Sequence, residues 1–271
     1  MITEKTKLNM VVGNPIMHSK SPLLHASIYE VAGINAALLP FAANDIKNLI
    51  AAIRTLSVGL VAVTMPFKQS VMPLLDRIDP TARVIGAVNT IINHKGKLRG
   101  YNTDAFGIEY ALRGTKLRNK KVLLLGAGGG ARAIAYVVKK AGGKLLYANR
   151  TPAHAEALRK NFGGQIVDLH KLSAQEIDVI INATPLGMPP RVKTLPLPET
   201  LIAWHQTVFD LVYNPLRTKL LFLAEKRGAK IISGLDMFVA QGVRQIELWI
   251  SKKITSDALI SRLKKQIAKT L

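Results

Sequence analysis

The sequence predicts an α/β protein built as two domains, the first with a mostly parallel sheet and the second doubly wound. Three observations predict it. Short β-type runs alternate with helix-like stretches over the first hundred residues. A second apolar strand runs directly into Gly126-Ala127-Gly128-Gly129-Gly130-Ala131 and then into a helical pattern. The 271 residues are about twice the commonest domain size, and 48% of them are hydrophobic, enough for a core in each half.

In chain order, residues 8–12, 38–42 and 59–63 are short apolar runs that read as strands, with helix-like periodicity over 22–32 and 45–56 between them. Strand–helix–strand order implies parallel strands covered by helices on both faces. Residues 86–93 and 98–102 flank His94-Lys95-Gly96-Lys97 as a β-hairpin with a glycine in its turn. A helix over 105–112 leads into the charged stretch Arg113 to Lys121, which places a boundary there: domain one is 1–112 and domain two 113–237. Domain two reads as strand 121–125, a helix to Ala141, strand 144–148 and helix 152–161, followed by strands at 165–167, 178–182, 207–211 and 229–232. Six strands with helices between them is the count of a Rossmann-like dinucleotide-binding sheet. A helix over 237–250 aligns Val239, Val243, Ile246 and Ile250 on one face.

Composition excludes several classes. There is no cysteine, so disulfide scaffolds, thiolate zinc sites and cysteine nucleophiles fall away together. His25, His94, His170 and His205 have no metal-ligand spacing, and no metal is expected. No apolar run of about 18 residues occurs, and the first residues are polar and of mixed charge, so a cytoplasmic protein without a membrane span is expected. Lys and Arg number 38 against 17 Asp and Glu, a net charge of +21. The basic residues are dispersed, and their short clusters, such as 116–121 and 262–265, hold no interleaved aromatics for base stacking. That pattern is a solvated basic surface favouring anionic small ligands rather than nucleic acid.

The glycine loop sits in the order strand, glycines, helix. This context supplies a tight turn, a backbone able to approach a pyrophosphate and free helix N–H groups facing an anion. NAD-binding sheets carry Asp or Glu about 20 residues beyond the glycines, on the ribose 2′-hydroxyl. Here Asn149-Arg150-Thr151 stands in that place, with no carboxylate before Glu156. A guanidinium forms paired bonds to phosphate oxygens, so NADP is the expected cofactor. In the first domain, Ser19 and Ser21 lie i, i+2 at a helix start, a spacing that suits a carboxylate. Ser21 reads equally as a plain N-cap with Pro22 at N1. Taken singly, Lys68 is a surface lysine and Asn102-Thr103-Asp104 a helix N-cap.

Taken as a set, these segments resemble the shikimate dehydrogenase family over nearly the whole chain. The resemblance is carried by Gly13-Asn14-Pro15, His18-Ser19-Lys20-Ser21-Pro22, Val63-Thr64-Met65-Pro66-Phe67-Lys68 and Gly86-Ala87-Val88-Asn89-Thr90. It continues through Asn102-Thr103-Asp104, the glycine loop, Asn149-Arg150-Thr151 and Asn182-Ala183-Thr184-Pro185-Leu186-Gly187-Met188. Asp210-Leu211-Val212-Tyr213 and Gly234-Leu235-Asp236-Met237 with Gln241 complete it.

The resemblance implies NADP-dependent reduction of 3-dehydroshikimate to shikimate, in aromatic amino-acid biosynthesis, with Lys68 and Asp104 as the catalytic pair. It implies that Ser19 and Ser21 hold the substrate carboxylate, and that Thr64, Asn89, Asp104 and Gln241 hold the ring hydroxyls with Tyr213 nearby. Gly126, Ala127, Gly128, Gly129 and Gly130 would take the pyrophosphate. Asn149, Arg150, Thr151 and His154 would take the 2′-phosphate, and Leu211 and Gly234 the nicotinamide side. The helix bearing Gln241 would return to the first domain, so that 238–271 completes it, with substrate at the inter-domain cleft. Three departures from the family stand out: Gly130 where Ala is frequent, His154 where Lys or Arg is usual, and Pro185 where Ser is frequent. A quinate/shikimate enzyme of broader substrate and cofactor use is the nearest alternative. A basic nucleic-acid-binding α/β protein and a catalytically idle nucleotide-binding regulator stand further off. The expected partner is the small-molecule substrate, with no nucleic acid and no membrane; a homodimer is the oligomer to test.

Overall fold

The computed structural model describes residues 3–17 and 19–271, so His18 of the serine segment lies outside the described residues. The chain forms two compact units: unit 1 runs to Phe106 and includes Val239–Lys269, and unit 2 is Gly107–Phe238 with the last two residues. The passages between units fall within helices, at 106/107 and 238/239, rather than at the expected 112/113 and 237/238. The charged stretch 113–121 is a mostly exposed surface segment of unit 2, so its composition marks solvent rather than a change of core.

Unit 1 holds β1 (Lys7–Gly13), α1 (Ser21–Ala32), β2 (Ala36–Ala42), α2 (Ile46–Thr55), β3 (Leu60–Val63), β4 (Arg77–Ile78), α3 (Pro80–Ile85), β5 (Thr90–His94) and β6 (Lys97–Tyr101). Helix α4 (Asp104–Leu112) begins in it. The sheet order is β2-β1-β3-β5-β6-β4, and β5 alone runs against its neighbours β3 and β6. Every residue of β3 is buried, and Met10, Val12, Val61, Val63, Ile91 and Leu98, from β1, β3 and the two strands of the hairpin, share one core. The hairpin turn is Lys95-Gly96, both with positive φ, the primed geometry that matches strand twist. Gly86 does not open a strand as expected. It is the left-handed C-cap of α3, and β5 starts four residues later.

Unit 2 holds β7 (Lys121–Leu125), α5 (Gly129–Lys140), β8 (Lys144–Ala148), α6 (Pro152–Phe162), β9 (Gln165–Ile166), β10 (Val179–Asn182), β11 (Thr207–Asp210), α7 (Lys219–Lys226) and β12 (Lys230–Ser233). All pairings are parallel and the order is β12-β11-β10-β7-β8-β9. Counted from β7 this is 6-5-4-1-2-3, the doubly wound Rossmann order with its switch point between β7 and β10. Helix α8 (Gly234–Ile250) starts in unit 2 and ends in unit 1, where α9 (Asp257–Ala268), capped by Ser256, follows. No helix among the described residues is long and apolar enough to cross a membrane.

Candidate active site

The candidate substrate residues of unit 1 converge on one edge of its sheet because of strand direction. Ser19 and Ser21 follow the C-terminal end of β1, and Thr64 and Lys68 follow that of the parallel β3. Antiparallel β5 brings its N-terminal end, at Asn89, to the same edge, and β6 brings Thr103 and Asp104 back to it. In α/β sheets this C-terminal edge is where ligands bind. Gly13 allows the loops to close there: a Cβ on it would sit 2.5 Å from Thr64 Cγ2 and 3.0 Å from the Met65 carbonyl. At the start of α1, Lys20 is the N-cap and Ser21 occupies N1. The capping role open to Ser21 in the sequence therefore does not apply. Ser19 Oγ accepts from the Ser21 N–H at 3.2 Å, which ties the two serines together.

Lys68 Nζ donates to Asp104 Oδ2 at 2.6 Å, with side chains only 20% and 6% exposed. The Lys68 main chain is held by the Val88 N–H, which donates to its carbonyl at 2.7 Å. Asp104 is not a cap: Asn102 Oδ1 accepts from the Ala105 N–H, and this leaves the Asp104 carboxylate for side-chain partners. Its other oxygen accepts from Asn89 Nδ2 at 2.8 Å, and the same amide reaches Gln241 Oε1 and Thr103 Oγ1. Thr103 Oγ1 also lies 3.4 Å from Gln241 Oε1. Asn89, Thr103, Asp104 and Gln241 are all buried. The result is a lysine amine and a carboxyl group in contact at the edge of a buried polar cluster, an arrangement able to move a proton at one oxygen. A concavity of unit 1, about 850 Å³, lies away from this cluster, along the hairpin and the end of α8. Its charged side chains, Arg77, His94, Lys97 and Arg99 among them, are exposed, so it lacks the convergent buried groups of a reactive site.

In unit 2 the glycine loop lies at the switch point. Gly126 has φ +99, and a Cβ there would press on the Ala183 carbonyl at 3.1 Å. Gly128 is the N-cap of α5, with no side-chain cap and no acidic residue in the first turn. The Gly126 N–H donates to the Ala148 carbonyl at the end of β8, which sets the loop beside Asn149-Arg150-Thr151. Asn149 Nδ2 donates to the Thr151 carbonyl, Thr151 is the N-cap of α6, and Arg150 and His154 are exposed. Leu211 and Gly234 are in contact: a Cβ on Gly234 would fall 2.2 Å from the Leu211 carbonyl oxygen. Gly130 faces the same residue, with Leu211 Cδ2 3.3 Å from its would-be Cβ. Beneath them, the buried Asp210 carboxylate accepts from Asn182 Nδ2, the Val212 N–H and Thr218 Oγ1. Burial pushes it up to about 6 against those three donors. Tyr213 stacks on Phe238 at 4.2 Å and belongs to unit 2, apart from the other candidate substrate residues, which all lie in unit 1.

Four buried members of the unit 1 cluster carried no site role in the sequence: His25, Thr90, Thr103 and Gln245. A signal existed for two of them. His25 interrupts the apolar stretch of α1, and Gln245 stands one helical turn after Gln241, where a core position would be apolar.

Comparison with known proteins agrees with this architecture. The model of the shikimate dehydrogenase substrate binding domain matches residues 11–91, and that of shikimate / quinate 5-dehydrogenase matches residues 109–189. A shikimate dehydrogenase (NADP(+)) from Moorella thermoacetica is 40% identical over 93% of this chain and 90% of its own length. One from Pyrococcus furiosus is 39% identical over 93% of each. A crystal structure of a shikimate dehydrogenase in complex with NADP+ superposes with a TM-score of 0.92 at 35% identity, covering 100% of this chain and 97% of that one. The Thermus thermophilus shikimate 5-dehydrogenase in complex with NADP(H) and shikimate gives 0.87 at 32% identity, covering 96% and 99%. With relatives of that identity along almost its entire length, this chain belongs to the shikimate dehydrogenase family.

Proposed function

We propose that the chain is an NADP-dependent shikimate dehydrogenase, reducing 3-dehydroshikimate to shikimate in aromatic amino-acid biosynthesis, with Lys68 and Asp104 as its catalytic pair. The observation that carries the reading is the Lys68–Asp104 contact of 2.6 Å, between a half-buried lysine and a buried carboxylate, at the ligand edge of the unit 1 sheet. Unit 2 fits the cofactor. A Cβ on Gly128 would meet nothing within 4 Å, so the space over the loop is open where α5 presents uncapped N–H groups. Neither α5 nor α6 has an acidic residue in its first turn, and Arg150 is exposed beside them, a setting for an extra phosphate. Gly126 to Gly130 would hold the pyrophosphate, Asn149 to Thr151 with His154 the 2′-phosphate, and Leu211 with Gly234 the nicotinamide.

The cofactor, when bound, supplies the hydride. The chain's residues manage the charge that hydride transfer creates. As the substrate carbonyl becomes an alkoxide, the Lys68 ammonium donates a hydrogen bond to that oxygen and then a proton, which yields the alcohol and a neutral amine that solvent reprotonates. Asp104 stabilises the ammonium and fixes where it points, and Asn89 holds Asp104 through its amide N–H. Ser19 and Ser21 hold the carboxylate of the substrate, and Thr64, Asn89 and Gln241 its hydroxyls. The net charge of +21 draws the anionic substrate and cofactor inward rather than serving nucleic acid.

The purified protein should reduce NADP+ with shikimate at high pH and use quinate or NAD+ far less well. Arg150→Ala should raise the NADP+ Michaelis constant roughly tenfold or more and leave NAD+ use unchanged, because only the 2′-phosphate contact is lost. Comparable rates with quinate and NAD+ would favour the broader enzyme, and an unchanged NADP+ constant would remove Arg150 from the site.

A further inference from the structure

Behind Lys68 and Asp104, a continuous chain of hydrogen bonds crosses unit 1 from a main-chain amide to the Asp104 carboxylate. The chemistry of its members fixes its polarity. The Leu60 N–H on β3 donates to Asn9 Oδ1 at 2.7 Å, so the Asn9 amide nitrogen faces Tyr29, whose hydroxyl accepts from it at 2.8 Å. That hydroxyl is then free to donate onward to His25 Nδ1, 3.2 Å away. His25 Nε2 lies 3.0 Å from Gln245 Oε1, an atom that only accepts, so the imidazole carries its proton on Nε2 and accepts at Nδ1. Gln245 Nε2 in turn donates to Thr90 Oγ1 at 3.0 Å and to the Asn89 carbonyl at 3.3 Å. The Thr90 hydroxyl donates to Asn89 Oδ1 at 2.8 Å, and Asn89 Nδ2 donates to Asp104 Oδ1 at 2.8 Å. Asn9, His25, Thr90 and Asn89 are at most 2% exposed, as is Gln245.

We infer that His25 is a positioning residue of the reaction, holding the Gln245 amide so that Thr90 and Asn89 keep the Asp104 carboxylate aimed at Lys68. His25 touches none of the reacting groups; it acts through three intermediaries, and the inference rests on the reading of Lys68 and Asp104 as the catalytic pair. The reason for a histidine lies in the polarity. An apolar side chain at 25 leaves Gln245 Oε1 without its donor, and a half-turn of the amide then presents that oxygen to Thr90. The Thr90 hydroxyl would donate to it instead of to Asn89 Oδ1, which keeps the Thr103 N–H at 2.7 Å but loses one of its donors, and this loosens the orientation of the Asn89 amide and with it the bond to Asp104. Burial keeps the imidazole neutral, as this single-proton link requires, lowering it to about 4 against the raising effect of its Gln245 bond.

The test compares His25→Leu, which removes both ring nitrogens, with His25→Gln, whose terminal N–H can still reach Gln245 Oε1. Folding is checked by near-UV circular dichroism, and kcat, KM and the pH–rate profile of NADP+-dependent shikimate oxidation are measured. His25→Leu should lower kcat roughly tenfold and move the pH–rate profile, with KM for NADP+ unchanged, since a small misplacement of a distant catalytic group suffices for such a loss. His25→Gln should recover most of kcat and the parental profile. A folded His25→Leu with parental kcat and profile overturns the inference, and so does an equal loss in both variants, which would mark His25 as packing alone. Should His25→Leu fail to fold, Gln245→Met is read in its place, and a parental kcat and profile there overturns the inference equally. Lys68→Ala and Asp104→Asn are measured alongside. If these keep parental turnover, the catalytic reading fails and takes the inference with it; if they collapse while His25→Leu does not, only the positioning role fails.

Discussion

Lys68 and Asp104 illustrate what a sequence discloses residue by residue. Read singly, the first is a surface lysine and the second belongs to a helix cap, because their contact joins positions 36 apart in the chain. Only the order of motifs marked them, and the structure supplies the reason for it: two parallel strands and a hairpin end at one sheet edge. His25 showed in the sequence only as a break in an apolar stretch, and its role could not be read, since a lone histidine on a helix has no partner until α8 brings Gln245 against it. Its burial has a measurable consequence. The imidazole is held down to about 4, mainly by desolvation, against 6.5 when unfolded. Between those values the unfolded chain binds more protons than the folded one, so stability rises with pH. The contribution is fully present above about pH 6.5 and is lost as pH falls through 4, a total of about 3 kcal/mol. The urea midpoint of the parent should therefore drop between pH 7 and pH 4.5 more steeply than that of His25→Gln. Parallel curves would mean that His25 is protonated in the folded state.

Elements were legible where pattern and length cooperated. The six strands of unit 2 and the strand–glycine–helix junction follow from apolar runs and punctuating glycines. Strand β4, two residues long, and α3, six residues, are too short for any period to register, and Gly86 consequently read as a strand start instead of a helix C-cap. Glycines of the same apparent type also differ in ways that only packing reveals. Gly234 begins α8 where a Cβ would strike the Leu211 carbonyl at 2.2 Å, main chain that cannot yield, whereas a Cβ on Gly130 meets only the flexible end of the Leu211 side chain at 3.3 Å. Gly234→Ala should cost about 1–3 kcal/mol or more of stability and weaken NADP+ binding. Gly130→Ala should stay within about 0.5 kcal/mol of the parent. Thermal unfolding and NADP+ titration of the two variants check this, and equal tolerance at both positions would refute the contact assigned to Gly234.

At the scale of the whole molecule, two units with separate cores carry separate candidate sites, and the chain crosses between them within α4 and α8. The crossing in α8 puts Gln241 with Asn89 and Thr103 in unit 1, although it lies only seven residues beyond Gly234 of unit 2. The division of labour predicts that Gln241→Ala weakens shikimate binding by about 1–3 kcal/mol, the cost of leaving buried partners unpaired, with NADP+ binding alone unchanged. Calorimetric titration of each ligand separately decides this, and a loss on the NADP+ side would assign Gln241 to the cofactor. The charge surplus was legible as an amount but not as a purpose, because composition does not say where cations converge; the structure sets one of them, the half-buried Lys68, against the buried Asp104 carboxylate. That ion pair is the centre of the catalytic reading, and Lys68→Ala tests it most directly, with kcat for shikimate oxidation and the shikimate dissociation constant measured on the same protein. Turnover should fall at least about 100-fold while shikimate affinity stays near the parent, because the lost interaction belongs to the transition state. Parental turnover, or a loss of affinity that accounts for the whole loss of kcat/KM, would contradict it and make Lys68 a substrate anchor.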